Sequence, residues 1–163
     1  MTAATISGLW RHPVKGFTPE PVDAAVLEED GFFPFDRLYA LEVGPSGYDP
    51  EAPRFISKMR FAVLARFAAV ARMRTRYDAA AQSLHVIGED GQGFDFDLTA
   101  ETGRAALARR VETVLAQYDE DYDPARFPLK VLAAPEAGFR FMDSSKGFVS
   151  LLNLNSCATL AAG

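Results

Sequence analysis

The residues in this chain best placed to do chemistry are a few widely spaced cations. Lys15 follows Pro13, whose ring holds its predecessor extended, so the lysine stands just past a fixed strand exit. Arg37 opens a second apolar run, Phe35-Asp36-Arg37-Leu38-Tyr39-Ala40-Leu41. Arginine offers a planar fork of donors and lysine a compact point charge, so the two at neighbouring strand ends can form a small anion pocket. Gly16, next to Lys15, keeps its backbone N–H accessible and permits close approach. On a strand Asp36 points to the face opposite Arg37, and the two are not expected to pair. Each cation also has a plainer reading, Lys15 as a solvated loop residue and Arg37 as a surface charge.

Other reactive side chains give weaker patterns. His12 ends the first strand and reads either as a proton shuttle or, preferably, as a ring packed at a strand end. Asp119-Glu120-Asp121-Tyr122-Asp123-Pro124 lacks the glycine and distal glutamate of a calcium loop and reads as a solvated acidic loop. Two histidines and one cysteine, far apart, give no zinc spacing, and a single cysteine forms no internal disulfide. No nucleophile or acid–base pair stands out as catalytic by itself, and no metal site is expected.

Composition narrows the partners. A net charge of −5 argues against nucleic acid as the main partner, because neutralising phosphates needs a basic surface. The start, Met1-Thr2-Ala3-Ala4-Thr5-Ile6, has no cationic region or long apolar run. No signal peptide or membrane span is therefore expected, and a cytoplasmic protein is the default.

The elements that position the cations follow from periodicity. Thr5 to Arg11 reads as a first strand, and Val22, Ala24 and Val26 alternate with Asp23 and Ala25 as a second with one buried face. Glu29-Asp30-Gly31 is a turn that launches a strand from Phe35 to Val43, followed by a loop from Gly44 to Pro53. Ala68 to Asp78 reads as a long strand with Arg72, Arg74 and Arg76 on one solvated face, pairing back through Ser83 to Ile87. Glu89-Asp90-Gly91 turns into the alternating strand Phe94 to Leu98. Thr99 is placed to cap a helix from Ala100 to Gln117, with Gly103, Leu107, Val111, Val114 and Leu115 as its apolar stripe. Leu129 to Leu132 is a short strand, and Phe148 to Leu152 another. Asn155 or Ser156 then caps a final helix, whose free N–H groups favour a phosphate or carboxylate. Cys157 is expected to be a small buried hydrophobe.

Two stretches together carry a family resemblance. Pro13-Val14-Lys15-Gly16 with Asp36-Arg37 some twenty positions on, and Phe141-Met142-Asp143 leading through an apolar segment to Asn153-Leu154-Asn155-Ser156, resemble MOSC-domain proteins, named for the C-terminal domain of molybdenum cofactor sulfurases. The resemblance spans nearly the whole chain. It implies an α+β fold, strand-rich, with an N-terminal β-barrel region over residues 1–98. Residues 99–163 would hold a helix and the first elements of the MOSC domain, with the central part of that domain expected beyond them. Gly16 stands where many family members carry a small hydroxyl residue.

The resemblance further implies binding of the molybdenum cofactor (molybdopterin), a phosphate-bearing pterin, with molybdenum-ion and pyridoxal phosphate binding as associated family properties. Lys15 and Arg37 would grip phosphate or pterin oxygens through charge-assisted hydrogen bonds, helped by Gly16, Lys58 and the turn from Asn153 to Ser156. Complete family members reduce N-hydroxylated compounds or transfer sulfur, so an electron-donor or sulfur-donor protein is the implied partner. Two other classes stay open. One is a sulfur-carrier or cofactor-maturation protein, in which a cysteine expected downstream of these residues, reactive and exposed, would hold persulfide sulfur. The other is a non-enzymatic barrel used as an interaction module, in which Lys15 and Arg37 would lie far apart.

Overall fold

Alternation of apolar and polar residues sets the strands, and their side chains decide how the strands join. The computed structural model describes residues 5–133, 138–145 and 149–161, apart from the side chains of Asn155 and Ser156. Strand β1 (Leu9–Arg11) pairs antiparallel with β2 (Glu20–Val22), and β3 (Tyr39–Val43) pairs with β7 (Leu129–Ala133). Strands β4 (Arg74–Asp78), β5 (Ser83–Ile87) and β6 (Gly93–Asp97) form a meander in that order. Helix α1 (Glu101–Tyr118) lies between β6 and β7 in the chain, and α2 (Leu154–Ala161) comes last.

The three sheets are linked in two different ways. Past β1 the backbone of His12 to Lys15 runs beside Arg37 to Tyr39: Arg37 N–H donates to His12 O, Tyr39 N–H to Pro13 O and Lys15 N–H to Tyr39 O. Between β2 and β4 side chains take the place of a backbone ladder. Thr75 N–H donates to Thr18 Oγ1 at 3.2 Å, Thr75 Oγ1 donates to Thr18 O, and Tyr77 N–H donates to Glu20 Oε2 at 2.7 Å. Buried Glu20 also pairs with Arg11 across β1 and β2. The strands thus follow one another as β6, β5, β4, β2, β1, β3, β7, and α1 packs against both end strands, β6 and β7. The fold is mixed α and β, and the described strands form no closed barrel.

The main core gathers Val14, Tyr39, Leu41, Met73, Leu84 and Val86 with Leu107, Val111 and Leu115 of α1. Burying each such aliphatic side chain contributes about 1.5–3 kcal/mol. A smaller cluster of Ala40, Phe61, Val63, Leu132 and Phe141 lies beside it and seats the segment that follows β7.

Several elements differ from the sequence reading. The first strand is confined to Leu9–Arg11, and Ile6 is exposed. The second ends at Val22, leaving Val26 86% exposed, since no neighbouring strand covers that stretch. The strand expected from Phe35 starts only at Tyr39, because Phe35 and Arg37 have φ of 59° and 50°, which no strand tolerates. Ala68–Arg72 forms 3-10 turns, so Arg72 leaves the stripe that Arg74 and Arg76 keep. Helix α1 begins with Ala100 at its cap position and no side-chain cap; Thr99 is turned away, donating from N and Oγ1 to Asp97 Oδ1.

At the C-terminal end, residues 146–148 lie outside the described residues, and Val149 to Leu152 are exposed and form no strand. Helix α2 starts two or three residues earlier than expected. Asn153 holds the cap position, its carbonyl accepting from Cys157 N–H at 3.2 Å, and Asn155 and Ser156 fall within the first turn. Cys157 is exposed rather than buried.

Candidate functional site

The turn after β1 places the first cation. Phe17 N–H donates to Val14 O, and Gly16 sits at the third position with φ 83°, where a type II turn requires glycine. Val63 packs so close that a methyl group on Gly16 would meet its Cα at 2.7 Å. Gly16 therefore brings two backbones together as well as turning the chain.

Lys15, at the second position of that turn, points inward and is 0% exposed. Its Nζ lies 2.9 Å from Phe141 O, 2.9 Å from Met142 O and 2.6 Å from Asp143 Oδ1, so each ammonium hydrogen has an acceptor. The Phe61 ring lies below at 5.7 Å. Burial pulls the Lys15 pKa below its ordinary value, and the hydrogen bond and charge of Asp143 oppose that shift without cancelling it.

Arg37 approaches the same carboxylate from the other side. Its Nη2 lies 3.0 Å from Asp143 Oδ2, and its Nη1 pairs with Asp36. The expected separation of Asp36 from Arg37 is thereby overturned: the left-handed backbone at Arg37 brings the two side chains together where a strand would have parted them. Arg37 Nε is buried with no hydrogen-bond partner among the described residues. Asp36 is buried too, and its Oδ1 accepts from His12 N–H at 2.6 Å. For Asp143, burial pushes the carboxyl pKa up, but the bonds and charges of Lys15 and Arg37 outweigh this and hold it below the usual carboxylate value.

A third link closes the arrangement. Phe141 N–H donates to Arg37 O at 2.9 Å, so Phe141 to Asp143 is strapped to both cations by main chain and side chain. Arg140 anchors the strap further out through both oxygens of Glu28.

These groups rim a cleft of about 320 Å³. His12, Arg37, Lys58 and Asp143 form its polar wall, and Phe17, Pro19, Val63, Leu64 and Ala71 its apolar wall. Lys58, exposed on a 3-10 turn (Lys58–Arg60), is near enough for its charge to lower the Lys15 pKa. Three cations face two carboxylates here, leaving one net positive charge on an acidic protein. A larger cleft of about 570 Å³, between residues 6–10 and 21–23, has Asp23 as the one ionisable side chain among its described lining residues and no cation among them.

The structure thus brings Gly16, Arg37 and Lys58 around one volume, while Lys15 lies behind it, sealed against Phe141 to Asp143. Exposed Asn153 does not line the cleft, and the Ser156 side chain lies outside the described residues. Asp143, Asp36 and the cleft-lining role of His12 were missed as site features. Asp143 had a signal, since it stands inside the second stretch that carries the resemblance.

Residues 3–135 match the family model described as the MOSC N-terminal beta barrel domain. The chain belongs to that family. Lys15, Gly16, Arg37 and Lys58 of this MOSC N-terminal domain fall inside the match, while Asp143, Asn153 and Ser156 follow it. Searches of curated proteins and of solved structures returned no match. No helix among the described residues is long and apolar enough to cross a membrane, and no group of three or more His, Cys, Asp or Glu side chains there could hold a metal ion.

Proposed function

We propose that this cleft binds the phosphate-bearing pterin of the molybdenum cofactor, as one part of a MOSC-type oxidoreductase or sulfur-transfer protein. The observation that carries the reading is the placement of Arg37 and Lys58 together on the wall of a cleft with one net positive charge. The donor set fits the group: Arg37 and Lys58 for oxyanions, and an apolar wall beside them for a flat ring. Lys15 acts from behind, because its three donors hold Phe141 to Asp143. It fixes Asp143 and adds its charge to the field.

When bound, the cofactor supplies the electron- or sulfur-transfer chemistry; the chain's own residues supply grip and orientation, and a donor protein would bring the electrons or the sulfur. An interaction module would keep Lys15 and Arg37 apart, whereas both contact Asp143.

The test is molybdenum and released pterin per mole of protein, purified from a host that makes the cofactor, for the parent and an Arg37→Ala variant. Near-stoichiometric cofactor in the parent with loss in the variant is expected. No cofactor in either overturns the reading.

A further inference from the structure

His12 offers the cleft a hydrogen-bond acceptor. Its half-buried ring lines the cleft with Arg37 and Asp143. Nδ1 lies 2.8 Å from Phe17 O. A carbonyl oxygen only accepts, so Nδ1 carries the hydrogen, and in the neutral ring the lone pair falls to Nε2. Nε2 makes no hydrogen bond to any described residue, and it is not sealed away from solvent. The main chain fixes the ring's base: His12 N–H donates to Asp36 Oδ1, and His12 O accepts from Arg37 N–H, each at 2.6 Å. Imidazole and guanidinium are therefore held as neighbours.

The charged groups around this ring are Asp36 and Arg37 from the turn before β3, Lys58 from its 3-10 turn, and Asp143 from the strap. Both oxygens of Asp143 already face cations, and those of Asp36 are taken up by Arg37 and by the His12 N–H. Among the described charged and imidazole groups of the cleft, His12 Nε2 is an acceptor with no hydrogen-bond partner.

We infer that His12 Nε2 selects among oxyanions, favouring one that carries its own O–H, such as hydrogen phosphate or a singly protonated phosphate monoester, over a fully ionised isostere such as sulfate. The inference rests on the anion-binding reading of the cleft. Arg37 and Lys58 attract either dianion. Only the protonated one can donate to Nε2, while sulfate turns a lone pair towards a lone pair.

Inorganic phosphate and sulfate are the probes. At about pH 8 both are chiefly dianions, and only phosphate retains an O–H. Titration calorimetry on the full chain at matched ionic strength should give phosphate an affinity roughly tenfold above sulfate. His12→Asn keeps an amide N–H in reach of Phe17 O and removes Nε2; it should bring the ratio close to one by weakening phosphate alone. Equal affinities in the parent would overturn the role of Nε2 and leave the anion site standing. A preference that persists in folded His12→Asn would do the same. Failure of both anions to bind the parent would remove the anion site, and with it the proposed function. The parent ratio decides the matter even if the variant does not fold.

Discussion

Asp143 shows how a surface carboxylate can govern a buried cation. Its side chain is 51% exposed, while the Lys15 it contacts is sealed. Burial alone would raise its pKa, but the bonds and charges of Lys15 and Arg37 lower it, so the folded state binds this proton more weakly than the unfolded chain. Stability from the ionised form is therefore fully present above the unfolded carboxyl pKa of about 4 and is lost as pH falls through the lower folded value. Asp143→Asn should cost about 1 kcal/mol near neutral pH, a figure kept small by solvent screening at this half-exposed group. The gap between parent and variant in urea unfolding should then close below about pH 4. A gap that stays constant down to pH 3 would show that the Asp143 charge does not support the fold. None of this was legible from local pattern, because Lys15 and Asp143 stand 128 residues apart. Spacing singled out Lys15 and Arg37 as cations but could not say that one carboxylate would serve both. The Asp36–Arg37 pair was hidden for another reason: it depends on a positive φ at a non-glycine residue, which residue type does not announce.

At the scale of elements, periodicity served where one face of an element is covered and failed where nothing covers it. The strands β5 and β6 and the helix α1 were readable because Leu84, Val86, Phe96, Leu107 and Val111 recur at strand or helix spacing and all are buried. Val22 to Val26 alternates just as well, yet no neighbour meets Val26 and the strand ends. Gly103 shows why packing overrides propensity. It lies near the start of α1, where alanine should gain about 1 kcal/mol over glycine. A methyl group there, however, would sit 1.9 Å from the Asp97 carbonyl oxygen at the end of β6. Main chain cannot swing aside as a long side chain does, so helix and strand must separate. Gly103→Ala should be destabilising by about 2 kcal/mol net. That corresponds to a fall in Tm of roughly 4–8 °C for a chain of this size. An unchanged or higher Tm would show that the helix start has room to move.

Over the whole molecule, the weak line is the seam between β2 and β4. Every other junction between neighbouring strands has backbone hydrogen bonds, whereas here Thr18 and Glu20 reach across to Thr75 and Tyr77. The seam matters to the cleft because β2 leads back through the Val14–Phe17 turn, which carries Lys15 and Gly16. Glu20 does two things at once: it accepts from the buried Tyr77 N–H, and it neutralises Arg11. Glu20→Ala would leave a buried amide and a largely buried guanidinium without their acceptor, at a cost of about 3 kcal/mol. The location of the damage is more telling than its size. Native-state hydrogen exchange should show the Tyr77 amide losing protection first, while Leu84 and Val86, in a strand paired on both sides, keep theirs until global unfolding. If Tyr77 stays as protected as Leu84 in that variant, Glu20 does not hold the seam, and the three sheets are joined through their cores alone.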